Sequence, residues 1–228
     1  MSQFDAVMNN IFLRPEDPYQ RIFVVSAYAG VTDALLEAKR GAKPGIYALI
    51  AAQDDSWQAA FINLEQQLLE INQDLFESKA LRSQADDFVR ERIVKAKACI
   101  ENILATCQYG QFSLEQYLPQ IREFLSSIGE AHSAFNSYLK LNSVGIKAEF
   151  VDLSGWQQDE NQASGQDKLD QVILNAMQDI DLSESLPIVT GYVYCDEGLM
   201  KTYDRGYSEM TFSRLAVLTK AKQAIIHK

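Results

Sequence analysis

Apolar residues along the chain fall into two regimes, one with helical spacing and one with short continuous runs. Between residues 2 and 13, Phe4, Val7, Met8, Ile11 and Phe12 recur at i, i+3, i+4, i+7 and i+8, with Ser2 in the N-cap position, which predicts an amphipathic helix. Arg14-Pro15-Glu16-Asp17-Pro18 predicts a turn, because proline restricts both itself and its predecessor. Ile22-Phe23-Val24-Val25 is a continuous apolar run closing in Ser26-Ala27-Tyr28-Ala29-Gly30, and Val31 to Leu36 read as helix. A β-branched run, a small-residue turn and a helix make the strand–turn–helix unit of an α/β fold with a buried parallel strand.

From Asp55 to about Leu139 the spacing is helical throughout. One stripe runs Trp57, Phe61, Leu64, Leu68, Ile71 and Leu75; a second runs Phe88, Ile93, Ala96, Ile100, Ile103 and Cys107; a third runs Leu114, Tyr117, Ile121, Leu125 and Ile128. Such faces pack on each other or on a sheet. Short runs return after Lys147. Residues 148–153 predict a strand, 156–167 a polar loop, 168–177 a helix and 187–193 a second buried strand. Residues 200–203 predict a short strand, 208–218 a helix and 223–227 a last, buried strand around Ala224, Ile225 and Ile226. With no internal repeat and no long linker, the expectation is one α/β domain carrying a helical insertion. Both ends fall inside organised pattern, so the sequence reads as cut from a longer domain.

Composition narrows the partners. The chain has 228 residues, 47% hydrophobic and 23% charged, ordinary for a soluble globular protein. A formal charge of -10 argues against nucleic acid, whose phosphates are bound through clustered Lys and Arg. There is no signal peptide and no apolar run of about 18 residues, so the expectation is a cytoplasmic protein without a membrane contact. Three cysteines without C-x-x-C spacing and two histidines do not make a zinc site, and Cys99 and Cys107 read as core packing on a helical stripe.

Neither G-x-x-x-x-G-K-[ST] nor G-x-G-x-x-G occurs, and no G-x-S-x-G elbow. Three segments carry candidate chemistry, each with a plain alternative. Ser26 ends a buried strand and Thr32 opens the next helix, where open α/β sheets bind ligands; equally, Thr32 caps its own helix. Glu130 follows Gly129 at the expected start of a helix, where an acid also suits the helix dipole alone. His132, two residues on, reads as a surface or satisfied polar residue rather than a catalyst. Arg205, followed by Gly206 and Ser208, offers a guanidinium fork for a carboxylate at a strand–helix junction; a surface turn with a salt bridge is the alternative.

Together these segments resemble aspartate kinases of the amino-acid kinase superfamily. Ile22 to Leu36, IFVVSAYAGVTDALL, resembles the family's V-V-S-A-x-x-G-V-T-[ND]-x-L-L segment; SIGEAHS at 127–133 is similar to S-x-G-E-x-x-S; RGYSEMT at 205–211 resembles R-G-G-S-D-x-T. The resemblance implies a partial carbamate kinase-like three-layer α/β/α fold with a mainly parallel sheet and a helical insertion over about 54–128. It also implies that 1–228 is an incomplete catalytic domain without ACT domains. The implied activity is ATP-dependent, Mg²⁺-assisted phosphorylation of the side-chain carboxylate of L-aspartate by a protein that is a homo-oligomer at full length. By position, Glu130 would receive the substrate ammonium, Arg205 a substrate carboxylate, and Ser26, Thr32, Gly206 and Ser208 would line the pocket. Glu209 is a possible catalytic carboxylate, Lys228 a weak nucleotide contact, and no residue is assigned to a metal. The family's K-x-G-G-T-S and W-T-D-V-x-G segments are not in this sequence, so the 228 residues alone are expected to be inactive. Tyr207 and Glu209 stand where the family has Gly and Asp, a variant that resembles the branch associated with ectoine synthesis. The alternatives are another amino-acid kinase, of the glutamate type, and a non-catalytic amino-acid-binding or dimerisation module.

Overall fold

A computed structural model describes residues 6–13, 18–37, 43–156, 168–195, 198–203 and 206–226. Three short strands, β1 (Phe23–Val25), β2 (Ala148–Val151) and β3 (Leu186–Thr190), form a parallel sheet in the order β1-β3-β2. Val24 pairs with Val189 on one side, and Phe150 with Ile188 on the other. All five residues of β3 are buried, as expected of a central parallel strand covered on both faces, whereas β1 is only half-buried. The α/β class and the parallel sheet follow the expectation.

The first helix, α1 (Met8–Phe12), is of π type, closed by the Leu13 amide donating to the Met8 carbonyl at 2.9 Å. It buries Met8 and Phe12 against the sheet cluster containing Leu186 and Ile188. The expected helix over 2–13 is thus partly realised; residues 1–5, like the turn residues 14–17 and loop residues 157–167, lie outside the described residues. Strand β1 leads into α2 (Val31–Leu35) and then α3 (Ile46–Ala51).

The helical region is built from α4 (Trp57–Leu75), α5 (Lys79–Thr106) and α6 (Leu114–Ser143). Trp57, Phe61, Leu64, Leu68 and Leu75 of α4 are buried, and so are Ile93, Ala96 and Ile100 of α5 and Ile121, Leu125 and Ile128 of α6. The stripes therefore do what their spacing predicts. Cys99 does not: it is exposed, because the buried line of α5 passes through Ala96 and Ile100 and leaves position 99 to solvent. Helix α6 is the backbone of the molecule, touching all three strands as well as α2, α3, α5 and α8.

The chain closes with α7 (Leu169–Met177), α8 (Leu199–Tyr203) and α9 (Tyr207–Leu218). Residues 200–203, expected as a strand, are helical. Leu199 and Met200 are buried, and the side chain of Glu123 accepts hydrogen bonds from the Met200 and Lys201 amides, which satisfies donors that a helix start leaves open. The strand expected at 223–227 does not form within 223–226; Ile225 and Ile226 are both 53% exposed, and these residues pair with no described strand. Residue 227 is outside the described residues.

Candidate functional site

Three elements converge on one carboxylate. Strand β3 ends at Thr190, and Gly191 and Tyr192 follow at the carboxyl end of the sheet. Helix α9 begins beside them, with Ser208 in its first turn. Helix α6 brings Glu130, which is 2% exposed. The Ser208 hydroxyl donates to Glu130 Oε1 at 2.5 Å, while Oε2 is buried with no hydrogen-bond partner. Burial pushes the Glu130 carboxyl up from 4.5 to about 8, against the hydrogen bond from Ser208 and the nearby backbone amide of Tyr192, which stands close without completing a hydrogen bond; the negative charge of Glu209 adds to the rise. Among the described residues no cation is found acting on it, and burial favours its neutral form.

Glycines make the convergence possible. A Cβ at Gly191 would stand 2.7 Å from Ser208 Oγ and 2.8 Å from Glu130 Oε2, so only hydrogen fits there. A Cβ at Gly129 would stand 2.8 Å from Val31 Cγ1 and 2.9 Å from the Ala27 Cβ, so the β1–α2 turn rests directly on α6. That turn is fastened by Ser133, whose hydroxyl donates to the Ser26 carbonyl at 2.7 Å. On the other side, the Thr211 hydroxyl donates to the Gly191 carbonyl at 2.6 Å and fixes α9 to the end of β3.

Ser26, Ser133, Ser208 and Glu209 line a cleft of about 1280 Å³ that runs along β1. Glu130 sits behind Ser208 rather than on the cleft wall. Thr32 lies in the first turn of α2 and does not line the cleft. Gly206 is the exposed N-cap residue of α9. Arg205 and Lys228 lie outside the described residues. One correction concerns Glu130, expected at a helix start: it lies in the interior of α6, because Gly129 serves close packing against Val31 and Ala27 rather than a helix boundary.

His132 points elsewhere. Its Nε2 is 2.6 Å from Asn72 Oδ1, and Asn136 Nδ2 donates to the same oxygen at 2.9 Å, so the group belongs to a buried polar cluster between α4 and α6. Burial lowers His132 to about 3, and it stays neutral. A smaller groove, about 580 Å³, lies on α4 and α5 beside Glu65, Arg82, Asp86 and Arg90, apart from these groups. Among the described residues no group of three or more His, Cys, Asp or Glu side chains is placed to hold a metal ion, and no helix is long and apolar enough to cross a membrane.

Gly191 and Thr211 gained no role from the sequence. The signal was present: a glycine closing an apolar strand, and a threonine one helical turn past Tyr207, which places its hydroxyl back toward that glycine.

The amino acid kinase family matches residues 1–228. Aspartate kinase Ask_Ect of Stutzerimonas stutzeri (strain A1501) is 43% identical over 233 residues, a match that covers 100% of this chain and 48% of that protein. The chain thus spans about half the length of the curated relative it matches. No solved structure matches it significantly. The parallel sheet, the buried glutamate and the serine bound to it all lie in a stretch matched from end to end, and the chain belongs to the amino acid kinase family.

Proposed function

We propose that this chain provides the amino-acid pocket of an aspartate kinase, which transfers the γ-phosphoryl of ATP to the side-chain carboxylate of L-aspartate. The observation that carries the reading is Glu130: a carboxyl buried at the carboxyl end of a parallel sheet, with one oxygen held by Ser208 and the other without a partner. Such a group suits a cationic donor that arrives with a ligand. The relative named as an aspartate kinase supports the same substrate, and we extend the reading to the branch that serves ectoine synthesis.

In this reading the substrate ammonium displaces the Ser208 hydroxyl from Glu130. That hydroxyl, with the backbone around Ser26 and Gly206, then turns to the substrate carboxylates. Arg205 supplies a planar fork for one of them, and Thr32 supports the turn from α2. Aspartate's reacting group is already ionised at neutral pH, so no general base is required. The task is to hold two anions in line and offset their charge. Glu209, on the cleft wall, would orient the acceptor end. ATP with Mg²⁺ supplies the phosphoryl group, and we assign the metal no ligand among the described residues; Lys228 is a candidate nucleotide contact. Residues 1–228 act as part of a catalytic domain, with 54–128 as its helical insertion, in a cytoplasmic homo-oligomer.

Proton release tests this directly. An ammonium beside Glu130 favours the ionised form, so binding at pH 7 should release close to one proton per aspartate. Calorimetric titration of L-aspartate in buffers of different ionisation enthalpy reads that number. Glu130→Gln should abolish the release and weaken binding at least about a hundredfold, the cost of removing one partner of a buried charge pair. Binding without proton release, or equal affinity in the variant, refutes the reading.

A further inference from the structure

Glu130 has a counterpart on its own helix. Glu123 precedes it by seven residues, two turns of α6, so both carboxylates leave the same face. Glu123 Oε1 accepts the amides of Met200 at 2.8 Å and Lys201 at 3.2 Å, at the start of α8. Glu123 Oε2 accepts the hydroxyl of Tyr192 at 2.6 Å. Tyr192 is 2% exposed, and its ring stands edge-on to Tyr207, with centroids 5.7 Å apart and planes at 82°. Tyr207 is the residue before Ser208. The main chain of Tyr192 directly follows Gly191, whose Cα hydrogens face Ser208 and Glu130, and its carbonyl accepts the Thr190 hydroxyl at 2.9 Å.

Tyr192 is therefore gripped at both ends. Its phenol is held by Glu123, and its main chain stands against the Glu130 carboxyl. We propose that Glu123 is a positioning residue for the Glu130–Ser208 pair, acting through Tyr192 and the start of α8. One helix thus holds α8 with its first carboxylate and α9 with its second, and the two-turn spacing sets the separation between them. Loss of the Glu123 contact frees the tyrosine, admits water behind Gly191 and loosens the pocket floor without touching any ligand. The functional meaning rests on the reading of Glu130 as the ammonium acceptor; the mechanical meaning does not.

Among the described residues, the groups that act on Glu130 are the Ser208 hydroxyl, the Tyr192 backbone and the Glu209 carboxylate, while His132 points to Asn72. Burial is the largest influence on Glu130, so water entry must lower its titration midpoint. The test follows the Glu130 carboxyl by carbon NMR, assigned by its loss in E130Q, in the wild-type chain and in E123A, E123Q and Y192F. Aspartate calorimetry and far-UV circular dichroism accompany each sample. E123A and Y192F should lower the midpoint by at least about one unit and weaken aspartate about tenfold with an unchanged dichroism spectrum. E123Q keeps an acceptor for the α8 amides and should fall between these and wild type. Wild-type midpoints in Y192F and E123A overturn the proposal. Should E123A fail to fold, Y192F, which deletes one hydroxyl, decides alone. A wild-type chain that binds no aspartate refutes the ammonium reading, and the NMR midpoints still decide the positioning role.

Discussion

Glu130→Gln should stabilise the ligand-free chain at alkaline pH while it removes ligand binding. The wild-type carboxyl has its midpoint near 8 in the fold against 4.5 as a free side chain. The fold therefore favours the neutral form, and the stability this group allows is fully present below 4.5 and lost as pH rises toward 8. At about 1.4 kcal/mol per pH unit, the wild type gives up about 3 kcal/mol by pH 7 and about 4 kcal/mol by pH 8. Glutamine does not titrate. It keeps an oxygen for the Ser208 hydroxyl, and its amide nitrogen, placed where Oε2 has no partner, costs about 1–2 kcal/mol at every pH. That constant cost shifts the curve but leaves its slope alone. Urea unfolding of both proteins from pH 5 to pH 8 should show the stability difference, variant minus wild type, rising by about 3–4 kcal/mol. It should be negative or near zero at the acid end and positive above about pH 7. Parallel curves across that range would refute the claim that Glu130 is held neutral by burial.

Three further outcomes follow from the packing. Gly191→Ala forces a methyl to within 2.7 Å of Ser208 Oγ and 2.8 Å of Glu130 Oε2; unfolding should show a loss of about 1–3 kcal/mol and calorimetry a loss of aspartate binding, and wild-type affinity would count against the close approach. Phe61→Ala empties a site 1% exposed in the α4 core and should cost about 3–5 kcal/mol in urea unfolding, with aspartate affinity nearly unchanged under folding conditions. His132, lowered by burial to about 3, contributes stability that is present above its ordinary midpoint of 6.5 and lost as pH falls toward 3. The His132→Gln variant should therefore show a flatter stability profile than wild type between pH 6.5 and pH 4 in thermal unfolding.

Much of this was legible in the chain. Wherever an element owes its form to a repeating apolar pattern, the pattern was sufficient: the run before Ser26 is β1, the line from Trp57 to Leu75 is the buried side of α4, and Pro187 to Thr190 lie in the central strand. Two of the short patterns, at 200–203 and 223–227, failed, because at that length partners decide. Met200 to Tyr203 carry β-compatible side chains, yet the Glu123 carboxylate, distant in sequence, holds the amides of a helix start there. Ala224 to Ile226 read as a strand, but a strand exists only where another accepts its hydrogen bonds; these residues line the same cleft as β1 and do not pair with it. In the site, Glu130, Ser208 and the Ser26 turn were named from sequence and stand together. The helix-start placement of Glu130 was wrong for one reason: a glycine can mark a boundary or a close contact, and only the fold tells which.

The strand order has a consequence for synthesis. Since β3 lies between β1 and β2, neither outer strand can be laddered until the chain has reached residue 186. Val24 must wait for Val189, a delay on the order of 10–30 s at ordinary translation speeds. The long helices, whose contacts are mostly between sequence neighbours, can pair in that interval. The growing polypeptide thus carries an unpaired apolar edge at Phe23 to Val25 throughout that interval, and expression yield should depend more on chaperone supply than on the stability of the finished fold.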